Sequence, residues 1–403
     1  VPTYTVRKLG VLGAGMMGAG IANVAATAGI EVILIDATQD NADKGKAYSQ
    51  KVLGRMVEKG KRTQEAADAV LARITATTDY ALLEGADLII EAVFEDTAVK
   101  AEVTKKAAAV LPDTAPFASN TSTLPISALA ENFPRPADFI GLHFFSPVDR
   151  MGLVEVIMGK KTSDQTLARA LDFVKQIRKT PIVVNDSRGF YTSRVFQTFI
   201  HEGMAMLREG VKPAMIENAG KMAGMPVGPL MVTDEVSIEL PLMIADQAIA
   251  QEGDAYRKPV SYDVMTKMMN DLGRPGRKGN AGFYEYAEDG SKRLWPGLAD
   301  HFPVADKQPE FAELKKRLLY IQALETVRCL EEGVLTRAED GDIGSVLGWS
   351  FPTYTGGTMS LIDTVGVAEF VAECDGMAQK YGERFKPSPW LRDRASGEVK
   401  LYG

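Results

Sequence analysis

Along the first 185 residues, short apolar runs alternate with stretches of helical spacing. The β-rich runs are LGVLG (9–13), EVILID (31–36), ADLIIEAV (86–93), PFASN (116–120), FIGLHFF (139–145), GLVEVIM (152–158) and TPIVVND (180–186). Helical patterns fill the intervals, notably from Gly15 to Ala28 and from Thr97 to Val110. Strands and helices that alternate in this way predict a parallel sheet wrapped by helices. LIIEAV is apolar apart from its glutamate, as suits a strand covered on both faces.

Beyond Asp186 the β signal fades and the period changes. Phe196, Phe199, Ile200, Gly203 and Leu207 mark one face of a helix. The stretch RVFQTFIHEGMAMLREGV (194–211) matches RLLYIQALETVRCLEEGV (317–334) at a constant offset of 123, pairing Arg194 with Arg317, Glu202 with Glu325 and Gly210 with Gly333. Each copy runs on to a Gly/Pro-rich turn and an acidic residue, GMPVGPLMVTDEVS in the first and GWSFPTYTGGTMSLIDTVG in the second. A helical unit therefore occurs twice, joined by the turn-rich segment 273–309. The expected organisation is an α/β Rossmann-like domain over 1–185, an all-α domain over 186–290 and its repeat over 305–403.

GVLGAGMMGAGIA (10–22) places Gly13-x-Gly15-x-x-Gly18 directly after a predicted strand and at the start of a helix. Gly13 permits a tight turn, Gly15 lets backbone approach a pyrophosphate, and Gly18 lets helix and strand pack closely. Glycine-rich turns are common, and a flavodoxin-like turn without a dinucleotide is the bland reading. The context here is the required one, with a second strand ending in Asp36, 18 residues after Gly18. A carboxylate there accepts from ribose hydroxyls and repels a 2′-phosphate, and no Arg or Lys follows in residues 37 to 43. The expected cofactor is NAD rather than NADP.

Composition narrows the partners. With 46 Lys and Arg against 53 Asp and Glu, the net charge is −7, which argues against a nucleic-acid surface. It leaves room for a local basic patch that takes one anionic ligand. Cys329 and Cys374 make neither a metal spacing nor a disulfide framework, which fits a reducing compartment, and no metal is expected. No apolar stretch reaches the ~20 residues of a spanning helix, and the first residues lack the pattern of a signal peptide. Cytoplasm is the expected location.

The chain has three histidines. His143 lies between Leu142 and Phe144 in a strand-like run, and Glu155 follows in the next. Oxidising an alcohol by hydride transfer needs a base for the hydroxyl proton, and imidazole suits that task near neutral pH. A carboxylate on the other ring nitrogen fixes the tautomer. The bland alternative is a buried histidine that donates to a backbone carbonyl. His201 aligns with Leu324 of the repeat and reads as a core or helix-surface residue, and His301 in LADHFP reads as a loop residue. His143 is left as the attractive base.

GAGMMGAGIA, EAVFED, ASNTSTLPIS, GLHFFSP, LVEVI and GFYTSR fall in the order and spacing of the L-3-hydroxyacyl-CoA dehydrogenases of fatty-acid β-oxidation, and the chain resembles that family over essentially its whole length. The doubled helical region, with RCLEEGV and GWSFPTYTGG, resembles the C-terminal portion of the bacterial multifunctional β-oxidation subunit. The resemblance implies His143 as catalytic base, Glu155 as its partner, and Ser122 beside the nicotinamide and the reacting oxygen. It implies cofactor contacts from Met17, Val93, Phe94, Glu95 and Lys100, in addition to the glycine turn and Asp36. The chain departs from the family at Ser146 and Ser193, where the family has Asn; the first belongs to the cofactor side and the second to the substrate.

The activity so implied is NAD-dependent oxidation of an (S)-3-hydroxyacyl-CoA to the 3-ketoacyl-CoA. The implied partners are an acyl-CoA substrate, a thiolase subunit and an N-terminal enoyl-CoA hydratase module in the parent protein, within a homo-oligomer. Two other readings stand beside it: a dehydrogenase of small β-hydroxy acids, and a non-catalytic NAD-binding or thiolase-docking portion.

Overall fold

Eight strands form one sheet in the order β3-β2-β1-β4-β5-β6-β7-β8. They are β1 (Lys8–Leu12), β2 (Glu31–Ile35), β3 (Ile74–Thr77), β4 (Leu88–Glu91), β5 (Phe117–Ser119), β6 (Phe139–Phe144), β7 (Leu153–Met158) and β8 (Thr180–Asn185). The structure is a computed structural model that describes residues 3–253, 256–397 and 399–402. All seven strands expected from the apolar runs are present, along with β3, whose sequence ITAT buries only Ile74 and so offers no apolar run to read. Every neighbouring pair is parallel except β6 and β7, which run antiparallel with His143 directly opposite Glu155.

Packing divides the chain into two compact units, Val1–Ser193 with Glu332–Gly348, and Arg194–Glu331 with Trp349–Gly403. In the first, α1 (Met16–Thr27), α2 (Gln39–Glu58), α3 (Gln64–Leu71), α4 (Thr97–Ala108), α5 (Ile126–Ala130) and α6 (Asp164–Gln176) accompany the sheet. The buried core joins Val11, Val32, Leu34, Ile90, Ile140, Leu142 and Val156 of the strands to Ile21, Ala22, Phe173 and Val174 of the helices.

The second unit begins within α7 (Thr192–Arg208) and continues through α8 (Pro213–Met222), α9 (Pro229–Val236), α10 (Glu239–Glu252), α11 (Tyr262–Thr266), α12 (Leu298–His301) and α13 (Phe311–Glu331). After α14 (Ala338–Trp349) it resumes with α15 (Thr358–Val365), α16 (Val367–Tyr381) and α17 (Pro389–Ser396). The sequence assigns α14 to the second helical repeat, yet it packs with the sheet. Leu335 bridges Val184, and Gly344 of α14 lies against Ile182 and Tyr191. The turn-rich connection also holds a hairpin, β9 (Tyr284–Tyr286) and β10 (Lys292–Leu294). The buried Asp234 carboxylate accepts from the Phe283 and Tyr284 N–H groups and the Tyr286 hydroxyl, and that of Glu217 accepts from the Tyr284 hydroxyl. Three-residue strands anchored by distant carboxylates leave no alternating pattern to read.

The repeat has a structural counterpart. Arg194 Nε donates to Glu325 Oε1 at 2.6 Å, and Arg317 Nη2 donates to Glu202 Oε1 at 2.5 Å. Each copy's arginine thus pairs with the other copy's glutamate. His201 Nδ1 lies 2.7 Å from Ser261 Oγ, and burial pushes its imidazole down to about 4, so it is neutral at pH 7. His301 closes the short helix α12 instead of lying in a loop, with its ring stacked on Trp295.

Candidate active site

The turn from β1 into α1 is shaped by its glycines. Gly13 has φ +95°, and a Cβ there would lie 2.6 Å from Ala92 O; at Gly18 a Cβ would lie 1.7 Å from Gly13 O. Both are backbone clashes. A Cβ at Gly15 would meet nothing within 4 Å, so the free N–H groups of the first turn of α1 face an open approach, an arrangement that takes a phosphate. At the end of β2, Asp36 Oδ2 accepts from Ala14 N–H at 2.8 Å, while Oδ1 accepts from Ala37 N–H at 2.8 Å and Asn41 Nδ2 at 3.2 Å. The carboxylate is locked beside the turn, where a ribose would follow the phosphates. Of the two methionines, Met17 packs against the core and Met16 is 68% exposed, with Ser146 Oγ 3.7 Å from its sulfur. Ser146 therefore stands at this turn.

A second cluster gathers at the ends of β4 and β5. Lys100 is buried; its ammonium donates to Glu91 Oε1 at 2.8 Å and Val93 O at 3.2 Å and lies 3.3 Å from Glu95 Oε2. Three acceptors meet its three protons, so Lys100 works on this region through Glu91 and Glu95. Glu91 Oε2 in turn accepts from Ser119 Oγ at 2.7 Å. Glu95 Oε1 gathers the SNTST segment, accepting from Thr121 Oγ1 at 2.6 Å, Ser122 N–H at 2.9 Å and Thr123 N–H at 3.2 Å, with Ser122 Oγ at 3.3 Å. Burial alone would raise this carboxyl, but Lys100 and the Thr121 and Ser122 donors outweigh it and hold the group below the usual range. Val93 is half-buried, and Phe94 stands out at 86% exposure.

The third cluster lies on β6 and β7. Opposite residues of an antiparallel pair project to the same face, and His143 Nδ1 meets Glu155 Oε2 at 2.8 Å, both buried. Glu155 is also held from the start of α7, where the N–H groups of Tyr191 and Thr192 donate to Oε1 at 2.9 and 3.0 Å and Thr192 Oγ1 donates to Oε2 at 2.6 Å. With Glu155 ionised, Nδ1 carries the proton and Nε2 keeps its lone pair. The rings of Phe145 and Phe190 lie 4.5 and 6.2 Å from the imidazole. Asn120 Oδ1 accepts from Phe144 N–H at 2.9 Å and so ties the SNTST segment to the histidine strand. Ser193, the second residue of α7, is half-buried. Sequence reasoning missed Glu91, Asn120, Tyr191 and Thr192. The lone glutamate of LIIEAV and the polar run SNTST were the available signals.

The NAD binding domain of 3-hydroxyacyl-CoA dehydrogenase matches residues 8–187, and the C-terminal domain of the same enzymes matches residues 189–286. The chain belongs to the 3-hydroxyacyl-CoA dehydrogenase family. As a family member it is an NAD-dependent oxidoreductase. The glycine turn and the Asp36 carboxylate described above fit NAD, since the turn leaves room for phosphates where Gly15 opens and Asp36 would oppose a 2′-phosphate. The fatty acid oxidation complex subunit alpha of Shewanella frigidimarina is 38% identical over 98% of this chain. The chain spans 56% of that relative's length. Among solved structures, 3-hydroxybutyryl-CoA dehydrogenase from Escherichia coli K12 is similar with a TM-score of 0.82 and 26% identity, covering 98% of this chain and 99% of that one. (S)-3-hydroxybutyryl-CoA dehydrogenase from Ralstonia eutropha gives a TM-score of 0.66 and 35% identity, covering 70% of this chain and all of the other. Among the described residues, no helix of this hydroxyacyl-CoA dehydrogenase family member is long and apolar enough to cross a membrane.

Asp36→Ala is expected to weaken NAD binding and to narrow its advantage over NADP. The change removes an acceptor and a repulsive charge and also frees Ala14 N–H. Fluorescence titration with NADH and NADPH checks this, and a wild-type preference for NADPH would overturn the role given to Asp36.

Proposed function

We propose that this chain oxidises an (S)-3-hydroxyacyl-CoA to the 3-ketoacyl-CoA in fatty-acid β-oxidation, with His143 as general base and Glu155 as its partner. The observation that carries the reading is the buried His143–Glu155 pair at 2.8 Å, because a carboxylate on Nδ1 leaves Nε2 to accept. In the reaction the C3 hydroxyl gives its proton to His143 Nε2 while the C3–H bond breaks, its electrons moving with the hydrogen. When bound, NAD supplies the acceptor for that hydride. Glu155 stabilises the imidazolium formed, and the tilted ring of Phe145 lies 4.5 Å from it. Ser122, oriented through its own N–H on Glu95, is the residue we assign to donate to the forming ketone oxygen. Ser193 is the residue we assign to the substrate thioester, in the place of the family's asparagine.

A second observation favours a CoA thioester over a free β-hydroxy acid. A groove of about 1180 Å³ in the first unit is lined by eight Lys and Arg side chains against a single carboxylate, Asp149. Lys51 and Arg55 come from α2 and Lys59 from its C-terminal cap, and Arg150 and Arg178 line the same groove. In a chain with a net charge of −7, such a concentration matches the phosphates of CoA. Reduction of acetoacetyl-CoA followed by NADH absorbance tests the proposal. Turnover of acetoacetyl-CoA with no turnover of acetoacetate is expected, and equal use of the free acid would support the β-hydroxy acid reading. The double variant Arg55→Glu with Lys59→Glu is expected to raise KM for acetoacetyl-CoA roughly tenfold while leaving that for acetoacetyl-pantetheine unchanged. An unchanged KM for the CoA substrate would move the phosphate site elsewhere.

We extend the proposal to a thiolase subunit and a hydratase module as partners in the parent assembly, to a homo-oligomeric state and to a cytoplasmic location. The support for the first two is the description of the relatives as subunits of a fatty acid oxidation complex, of which this chain spans 56%.

A further inference from the structure

Glu155 is held by four donors, and three of them come from two consecutive residues, Tyr191 and Thr192. The backbone donors would be present whatever side chains stood there. The Thr192 hydroxyl is different, because it shares Oε2 with His143. It donates to that oxygen at 2.6 Å and its own oxygen lies 3.4 Å from His143 Nδ1. Thr192 is 1% exposed, and its Cγ2 methyl lies on the side of Gly348 of α14. A β-branched side chain so buried has little freedom at χ1, so the hydroxyl stays on the carboxylate. The titratable groups facing Thr192 in the described contacts are His143 from β6 and Glu155 from β7. Tyr191, beside it, turns its hydroxyl away to Gly341 O at 2.7 Å. Phe145 and Leu153, which with Thr192 surround Gly348, bring no charge.

We propose that Thr192 is a positioning residue for proton transfer: its hydroxyl fixes the orientation of Glu155 and shares its negative charge, so that His143 is aligned and releases its proton readily. This rests on the reading of His143 and Glu155 as base and partner. A carboxylate oxygen that loses a donor concentrates its charge on the remaining one. Without the Thr192 hydroxyl, Glu155 therefore holds the imidazolium more tightly, and the free base returns only at higher pH.

The experiment compares Thr192→Val, which keeps the shape, with Thr192→Ser, which keeps the hydroxyl, in the full chain with NAD and (S)-3-hydroxybutyryl-CoA. Thr192→Val is expected to lower kcat by about 10- to 100-fold, the range of a lost hydrogen bond to a charged group, with KM and NADH affinity unchanged. The pH at which oxidation sets in should rise, and Thr192→Ser should restore both kcat and onset. If Thr192→Val loses thermal stability yet keeps wild-type kcat and onset, the hydroxyl is structural only and the inference fails. Should Thr192→Val fail to fold, Thr192→Ala against Thr192→Ser gives the same comparison. Full activity in His143→Gln would remove the base reading itself, whereas an inactive His143→Gln beside an unaffected Thr192→Val removes the Thr192 inference alone.

Discussion

His143→Gln is expected to lower kcat by about 10²–10⁴-fold, the usual contribution of a positioned general base, with little change in NADH affinity. Glutamine can donate to Glu155 from the same side, so the carboxylate is not left unpaired, but the amide has no lone pair of comparable basicity at the position of Nε2. The glycine turn and Asp36 lie on β1, α1 and β2, and their hydrogen bonds do not involve His143. Stopped-flow oxidation of (S)-3-hydroxybutyryl-CoA and NADH titration separate the two effects. The bland reading of His143 as a buried structural histidine makes the opposite prediction of a less stable protein with near wild-type turnover. That outcome would end the assignment of the base.

Much of the architecture was legible because burial on both faces writes itself as apolar runs. β1, β2, β4, β6 and β7 are such runs, β8 is apolar though only Ile182 and Val184 are buried, and the glycine turn has the spacing of a strand–turn–helix junction. β3 was not legible, since ITAT buries one residue of its four, nor was the β9–β10 hairpin, whose order comes from Glu217 and Asp234 far away in sequence. The scarcity of histidine pointed to His143, and proximity of β6 and β7 was the natural way to join it to Glu155. β8 lies beyond β7, so neither strand of the pair is at the sheet's edge and both members are buried. The antiparallel register had a signal in the chain: eight residues separate Phe144 from Leu153, too few for a parallel crossover of a dozen or more. Thr192 was hidden for another reason. In GFYTSR a threonine at the start of a helix reads as a cap, and only the placement of Thr192 itself beside β7 turns its hydroxyl to a carboxylate instead.

The internal repeat shows the same limit in sharper form, and it leads to the largest stability effect expected here. Aligning the copies matched Arg194 to Arg317 and Glu202 to Glu325, which suggests two similar helices but says nothing about what either charge meets. In the structure the charges are exchanged between copies, so each ion pair exists only when both helices are in place. The two pairs differ in cost. Arg194 and Glu325 keep 21% and 14% side-chain exposure and Glu325 has a second partner in Arg328, whereas Arg317 and Glu202 are at 0% and 1%. Burial alone would lower the Arg317 guanidinium, but Glu202 and Glu209 outweigh it and hold the group above its ordinary value, stacked over the Tyr381 ring. Removing one member of a buried pair strands the other, which costs about 3–5 kcal/mol. Arg384 still reaches Glu202 Oε2 at 2.7 Å, so Arg317→Met should fall near the lower end of that range, and Arg194→Met should cost clearly less. Urea denaturation of the two variants checks the order. Combining Arg317→Met with Glu202→Gln should recover part of the loss, because the stranded charge is gone. Equal effects of Arg194→Met and Arg317→Met, or no recovery in the double variant, would show that the exchange is ornamental and that apolar packing of α13 alone joins the two copies.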